Sequence, residues 1–452
     1  MTASRPADTG LFRDPDFRRL WTADAVSQAG TAVTLLALPL VALGALHADA
    51  FQAGLLVAFE YLGFLLLGLP AGALVDRTSG HRVMIAGDLG RAALLGSVPV
   101  AAWLDVLSLT QLYAVAFGLS VCTVFFDVAA QSRLPRLVAP DRLVEANVRI
   151  EAGRTLTQAA GPGAGGALVG VLTAPVALVL DAVSYLASAA LLARIRRPDA
   201  VPGGDGVPGA GVPEGAVRGA ARDLRADIAE GLRFVLGNRL LRALTLGSAL
   251  SNLFGTMGAA MLLVLLAGEL GLSPFLCGLV FTAEAAGGFL GSLLTTRITR
   301  RLGRGPAMCA AVVTSGVLWL AAVPCFQADW RLALAVALQG LGWTAFMTFK
   351  ITSVSLRQEL CPEPMLGRMT ATFRFVVWGV MPVGALAGGV LGQHLGARPA
   401  LWIGALGELA AVLPLLLSPL RRLRELPRSV PSAGERPAWF AARVNGKPDG
   451  SA

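Results

Sequence analysis

The sequence predicts an all-α integral membrane protein in which twelve transmembrane helices form two pseudo-symmetric six-helix bundles. Three observations carry that expectation. The 452 residues are 55% hydrophobic and 15% charged, where a soluble domain carries about a quarter charged residues, and the mean hydropathy is +0.64. Apolar residues fall into runs of roughly 20, the length that crosses a hydrocarbon layer of about 30 Å. Several polar residues also recur at a nearly constant offset between the two halves of the chain.

In order, the apolar runs lie near 20–45, 51–75, 83–104, 110–131, 152–173, 175–194, 240–267, 274–298, 306–326, 331–352, 370–393 and 399–418. Only Thr173, Ala174 and Pro175 mark a turn between the fifth and sixth. Orientation follows from arginine, which is retained on the cytoplasmic side. Arg13, Arg18 and Arg19 precede the first run, and Arg77 and Arg82 separate the second from the third. Arg133, Arg136 and Arg142 follow the fourth, Arg297, Arg300, Arg301 and Arg304 the eighth, and Arg421, Arg422 and Arg424 the twelfth. The alternate connections hold only Arg331 and Arg398. A multi-pass plasma-membrane protein with both termini cytoplasmic is expected.

Residues 1–15 then form an N-terminal cytoplasmic tail and 16–194 the first bundle. A cytoplasmic linker covers 195–237, the second bundle 238–420, and a disordered cytoplasmic tail 421–452. The linker opens with the Pro/Gly-rich "PDAVPGGDGVPGAGVPEG", a flexible composition. Next, "ARDLRADIAEGLRFVL" sets Leu224, Ile228, Leu232 and Val235 on one stripe, as in an amphipathic helix on the membrane surface.

Arg154 and Pro162 in the fifth run are matched by Arg374 and Pro382 in the eleventh, and Glu60 in the second by Glu284 in the eighth. Both halves run the same way through the bilayer, so the repeat is parallel, about an axis along the membrane normal.

Charge within apolar runs is costly and marks function. Glu60, Glu284 and Glu408 fall near mid-depth and Asp24 in the inner half of the first helix. These four are the candidates for proton coupling, because a carboxylate walled in by apolar groups holds a proton that water or a cation can release. Asp88, Arg91, Asp127, Arg154, Lys350 and Arg374 lie near the inner ends, and Asp181 near an outer one. Asp88 and Arg91 can pair on one helix face, and Asp127 can pair with Arg154, as structural or gating ion pairs. Tyr61, Phe64, Asn252, Met257, Phe281, Trp343, Phe373 and Trp378 are candidate cavity residues, with Phe254 and Met261 beside them.

Other chemistries lack their residues. The basic pI of about 10.1 comes from arginine clusters between apolar runs and forms no single patch, which excludes nucleic acid as a partner. Cys122, Cys277, Cys309, Cys325 and Cys361 show no CxxC spacing, so neither a disulfide framework nor a metal site is expected. No P-loop for ATP occurs, and no paired intramembrane histidines for haem. An enzyme is not expected, nor any cofactor.

"GALVDRTSGHR", from Gly72 to Arg82, resembles the loop between helices two and three of the major facilitator superfamily. Gly72, Asp76 and Arg77 match directly, and Arg82 matches after one inserted residue. "GPGAGG" at 161–166, with Gly161, Pro162, Gly165 and Gly166, resembles the fifth-helix signature of antiporters in that superfamily. "LVEANVRIEAGRTLTQAAGPGAGG", "LVLDAVSYLAS" and "DIAEGLRFVLGNRLLRAL" are similar to the branch of macrolide and enterobactin exporters. The resemblance implies that Asp76 docks near the cytoplasmic start of helix eleven and helps to close an inner gate. It implies that helix twelve is peripheral, which sets Glu408 apart from the other acids. It also implies a monomeric secondary exporter of hydrophobic or amphipathic small molecules (a drug, natural product or siderophore), working by proton antiport and alternating access in the lipid bilayer. An uptake transporter of the same fold and a transport-inactive receptor or scaffold are the alternatives.

Overall fold

A computed structural model describes residues 11–68, 70–75, 78–138, 142–195, 230–362 and 365–423. The first six long helices are α1 (Pro15–Gly44), α2 (Ala50–Leu67), α3 (Gly80–Trp103), α4 (Leu109–Leu137), α5 (Leu143–Leu172) and α6 (Ala174–Ala193). The next six begin with α7 (Arg239–Leu263), which runs on into a π-helical turn over Val264–Glu269, and α8 (Pro274–Leu302). Then come α9 (Arg304–Ala322), α10 (Arg331–Leu360), the broken α11 (Leu366–Gly379 and Met381–Leu395) and α12 (Ala397–Ala410). Among the described residues, eleven helices are long and apolar enough to cross a membrane. The remaining one is α5, whose contiguous apolar stretch is only Ala160–Leu172. Its first half carries Glu145, Arg149, Glu151 and Arg154, and its second is rich in glycine.

Helix starts are written locally. Asp14 accepts the Asp16 amide at 2.9 Å to cap α1, and Asp49 and Gln52 form a reciprocal capping box on α2. Ser108 caps α4, Asn238 caps α7 and Ser273 caps α8. Each side chain satisfies amides that the first helical turn leaves open, which matters most where water is scarce.

The helix neighbours repeat. In the first half α1 packs on α5 and α6, α3 on α4 and α6, and α2 on α4. Adding six to each label gives the main contacts of the second half: α7 on α11 and α12, α9 on α10 and α12, and α8 on α10. The halves meet where α2 crosses α11 and α5 crosses α8, pairs that the same operation exchanges.

Three corners share one backbone shape, and those after α5 and α11 are repeat mates. Gly396 joins α11 to α12 at φ 94°, ψ 160°, and Gly303 joins α8 to α9 at φ 85°, ψ 155°. The corner between α5 and α6 has the same shape but holds Thr173, at φ 72°, ψ 154°. This region is essentially reserved for glycine. The weak turn signal at Thr173–Pro175 is therefore a corner under strain.

Asp88 and Arg91 pair side by side on α3. The Arg91 guanidinium lies between the Phe126 and Tyr185 rings, 4.4 and 4.3 Å from their centroids, and Ser188 donates to Asp88 at 2.6 Å. Asp181 accepts from Thr34 and from Ser184, and Tyr185 bonds Thr31 at 2.8 Å. All of these groups belong to α1, α3, α4 and α6. The pair expected as structural or gating thus fastens one half internally and does not face the other.

Most of the expected linker, including Leu224 and Ile228 of its amphipathic stripe, lies outside the described residues, as do Asp76 and Arg77 of the loop motif. Gly72 belongs to a short helix, Pro70–Val75, and Arg82 is exposed in the first turn of α3. The two described residues of the stripe have unlike surroundings. Val235 is buried against Leu241, Cys361 and Met369, while Leu232 faces outwards. Glu230 pairs with Arg368 at 2.6 Å.

Thr173→Gly relieves the strained corner, and thermal unfolding in detergent is expected to show a gain of about 1 kcal/mol. Asp88→Ala strands a buried guanidinium and is expected to cost about 3–5 kcal/mol in the same measurement. Arg149→Ala, which removes an exposed pair with Glu145 and a cation–π contact with Phe12, is expected to cost about 1 kcal/mol.

Candidate functional site

Glycine sets how closely the halves approach. Where α2 crosses α11, a Cβ on Gly54 would stand 2.6 Å from the Gly389 Cα. Where α5 crosses α8, a Cβ on Gly166 would stand 3.0 Å from the Gly278 Cα, and one on Gly278 would strike the Pro162 carbonyl oxygen. Neither place admits a side chain. Gly54 and Gly278 occupy equivalent turns of α2 and α8, as Gly166 and Gly389 do in α5 and α11, so one crossing is the symmetry mate of the other. Both lie at the end of the molecule away from the start of α1 and the end of α12. The other two motif glycines turn towards α1, with Gly161 on Ala32 and Gly165 on the Val33 backbone.

Between the halves is a cavity of about 410 Å³. The first half supplies one wall, from Leu35, Leu36 and Pro39 of α1 to Val57, Glu60 and Tyr61 of α2. The second half supplies Ser251 and Asn252 of α7, Phe281 and Glu284 of α8, Trp319 of α9, Gln339, Trp343 and Phe346 of α10, Met381 of α11 and Glu408 of α12. No lysine, arginine or histidine lines it among the described residues.

Three of the four candidate acids therefore share one cavity, on unlike terms. Gln339, itself 3% exposed, donates its amide N–H to Glu284, while its own Oε1 is buried without a partner. Ser251 donates to Glu408. The Glu60 carboxylate makes no hydrogen bond or ion pair among the described residues. Glu408 lines the cavity from α12, the helix expected to be peripheral. A Cβ on Gly404 would lie 3.2 Å from the Phe254 carbonyl oxygen, and this close packing of α12 on α7 carries the carboxylate through to the cavity.

Asp24 does not line the cavity. Arg154 grips it with two bonds, Nη2 to Oδ1 at 2.9 Å and Nε to Oδ2 at 3.2 Å, and Asp127 lies 3.8 Å from the same guanidinium. The expected Asp127–Arg154 pair is thus a triad in which Asp24 is the closer partner. Arg374, the repeat mate of Arg154, has no equivalent acid partner among the described residues. Its guanidinium lies 4.7 Å over the Trp378 ring, within electrostatic reach of Asp127 across the halves.

Of the eight candidate cavity residues, Tyr61, Asn252, Phe281 and Trp343 line it and four do not. Phe64 and Trp378 meet edge to face at 5.0 Å, joining α2 to α11. Phe373 is buried beneath the Arg357 guanidinium, and Met257 packs on Gly388. Asn252 donates to the Val377 carbonyl at 3.0 Å, an acceptor freed by the break in α11 before Pro382. Sequence reasoning missed Gln339, Ser251, Trp319 and Phe346. A glutamine in an apolar run was a readable signal, since a buried amide needs partners; nothing separated those two aromatics from packing residues.

The comparisons with known proteins agree with this architecture. A family model described as transmembrane secretion effector matches residues 8–437. The multidrug efflux pump Tap of Mycolicibacterium fortuitum is 28% identical over 415 residues, covering 88% of this chain and 94% of the relative. Tap of Mycobacterium tuberculosis is 26% identical over 428 residues, covering 91% and 93%. Among solved structures, a bacterial homologue of the iron transporter ferroportin in its inward-facing state superposes with a TM-score of 0.71 at 18% identity, over 90% of this chain and 99% of that one. The nucleoside transporter NupG gives 0.64 at 12% identity, over 89% and 99%. With two six-helix halves, a central cavity and a family match over nearly its whole length, the chain belongs to the transmembrane secretion effector family of the major facilitator superfamily, and is a membrane transporter and not an enzyme.

Proposed function

We propose that this protein exports amphipathic small molecules across the plasma membrane in exchange for protons, by alternating access of its central cavity. The observation that carries the reading is the cavity itself, where glutamates from three helices face an apolar and aromatic space with no basic residue among its described lining. Its volume falls within the range of about 300–1,000 Å³ typical of small-molecule sites. The efflux-pump relatives support export over uptake. Arginine placement supports a cytoplasmic location for the end where α1 begins and α12 ends, and with it both termini.

Glu284 is the proposed proton carrier. When ionised it accepts the Gln339 N–H; when protonated it donates to the Gln339 oxygen, once that amide has turned over about its last torsion. A glutamine amide is both donor and acceptor, so one side chain serves both states, and its buried, partnerless oxygen supports this role. Alternating access then requires the two glycine crossings to part. Contacts of backbone on backbone favour such separation, since they join the halves without interlocking side chains.

Cells expressing the protein are expected to accumulate less of an amphipathic fluorescent dye, and a protonophore is expected to abolish the difference. Greater accumulation than in control cells would instead indicate uptake. In proteoliposomes, Glu284→Gln is expected to reduce proton-driven flux to that of protein-free vesicles, and Gln339→Leu to alter its pH dependence. Gly278→Leu forces the crossing apart, so Cys277, fully buried beside it, is expected to react several-fold faster with maleimide in a variant lacking the other four cysteines.

A further inference from the structure

We infer that Glu60 is the recognition site for an organic cation, and that the transported molecule carries a protonated amine or quaternary nitrogen on an aromatic body. This rests on the export reading and adds the chemistry of its substrate.

The three cavity glutamates differ in what already satisfies them. Glu284 holds the Gln339 amide and Glu408 the Ser251 hydroxyl, each donor coming from the acid's own half. Glu60 holds nothing among the described residues. The difference is written in the sequence. Glu60 and Glu284 stand on equivalent turns of α2 and α8, but where α10 places Gln339, the matching turn of α4 offers Val115, Ala116 and Phe117. None of these side chains can donate a hydrogen bond. A carboxylate inside a membrane protein is costly unless it is neutralised or paired, and no basic residue of the described lining can pair with this one. The missing charge is left for a ligand to bring.

The rest of the cavity suits such a ligand. Phe281, Trp319, Trp343 and Phe346, all from the second half, line the same cavity as Glu60. Aromatic faces bind apolar rings and attract cations. A molecule seated with its nitrogen on Glu60 and its rings on these residues touches both halves at once. An anion would meet three carboxylates and no compensating cation.

The test measures binding to purified protein in lipid nanodiscs, with ethidium as the aromatic cation and Nile red as a neutral aromatic probe. The parent is expected to bind both. Glu60→Gln is expected to weaken ethidium about tenfold or more, the scale of losing one partner of a desolvated charge pair, with Nile red within twofold of the parent. Retained Nile red binding also reports an intact cavity, and Glu60→Asp is expected to restore much of the ethidium affinity. Equal effects of Glu60→Gln on both probes, or no effect on ethidium, would overturn the inference. If the parent binds ethidium through Glu60 but proteoliposomes do not move it, the export reading fails and the cation site stands.

Discussion

Where α2 crosses α11 and α5 crosses α8, backbone lies directly on backbone, and the cavity beside these crossings exists because of that contact. Helices in a bilayer are not driven together by the hydrophobic effect, since lipid tails are as apolar as the side chains they would replace; close packing has to supply the attraction. Gly54 on Gly389 and Gly166 on Gly278 bring α-carbons within the space of one missing methyl group. A larger residue at any of the four would wedge the halves apart. The crossings are symmetry mates, so the load is shared across the two-fold axis.

The halves are held together internally by different means. The first is fastened by a buried polar network in which the Asp88–Arg91 pair reaches Ser188 on α6 and the rings of Phe126 and Tyr185. Around the equivalent helices of the second half the core is apolar, with Met308, Val312, Leu415 and their neighbours. That half instead turns its polar residues to the cavity, where Ser251, Asn252, Glu284, Gln339 and Glu408 all line the wall. One half therefore places its polar groups in internal contacts and the other places several of them along the cavity wall. Glu60 is the exception, the one charged group among the described residues that the first half presents to the cavity.

The same asymmetry reaches the ends that carry the termini. Arg154 closes on Asp24 and Asp127 within the first half, whereas Arg374 rests on the Trp378 ring and forms no ion pair among the described residues. Repeated arginines thus mark equivalent places without equivalent surroundings. A residue's repeat mate is a guide to its location, and its neighbours decide its chemistry.

Much of this was legible beforehand because its causes are local or periodic. The length of each apolar run and the recurrence of Arg154, Pro162 and Glu60 at Arg374, Pro382 and Glu284 depend only on neighbours along the chain or on a nearly constant offset. From these the sequence determined a membrane protein of two matching six-helix halves. Which way each acid faces is a matter of helix rotation and of packing between segments hundreds of residues apart. Tertiary structure alone decided that Asp24 is consumed by Arg154, that Glu408 passes between small residues into the cavity, and that Phe64 and Trp378 meet each other instead of a ligand. A run that is apolar all round carries little periodic signal of which face is inward, so only the approach of the other helices distinguishes a buried pair from a cavity wall.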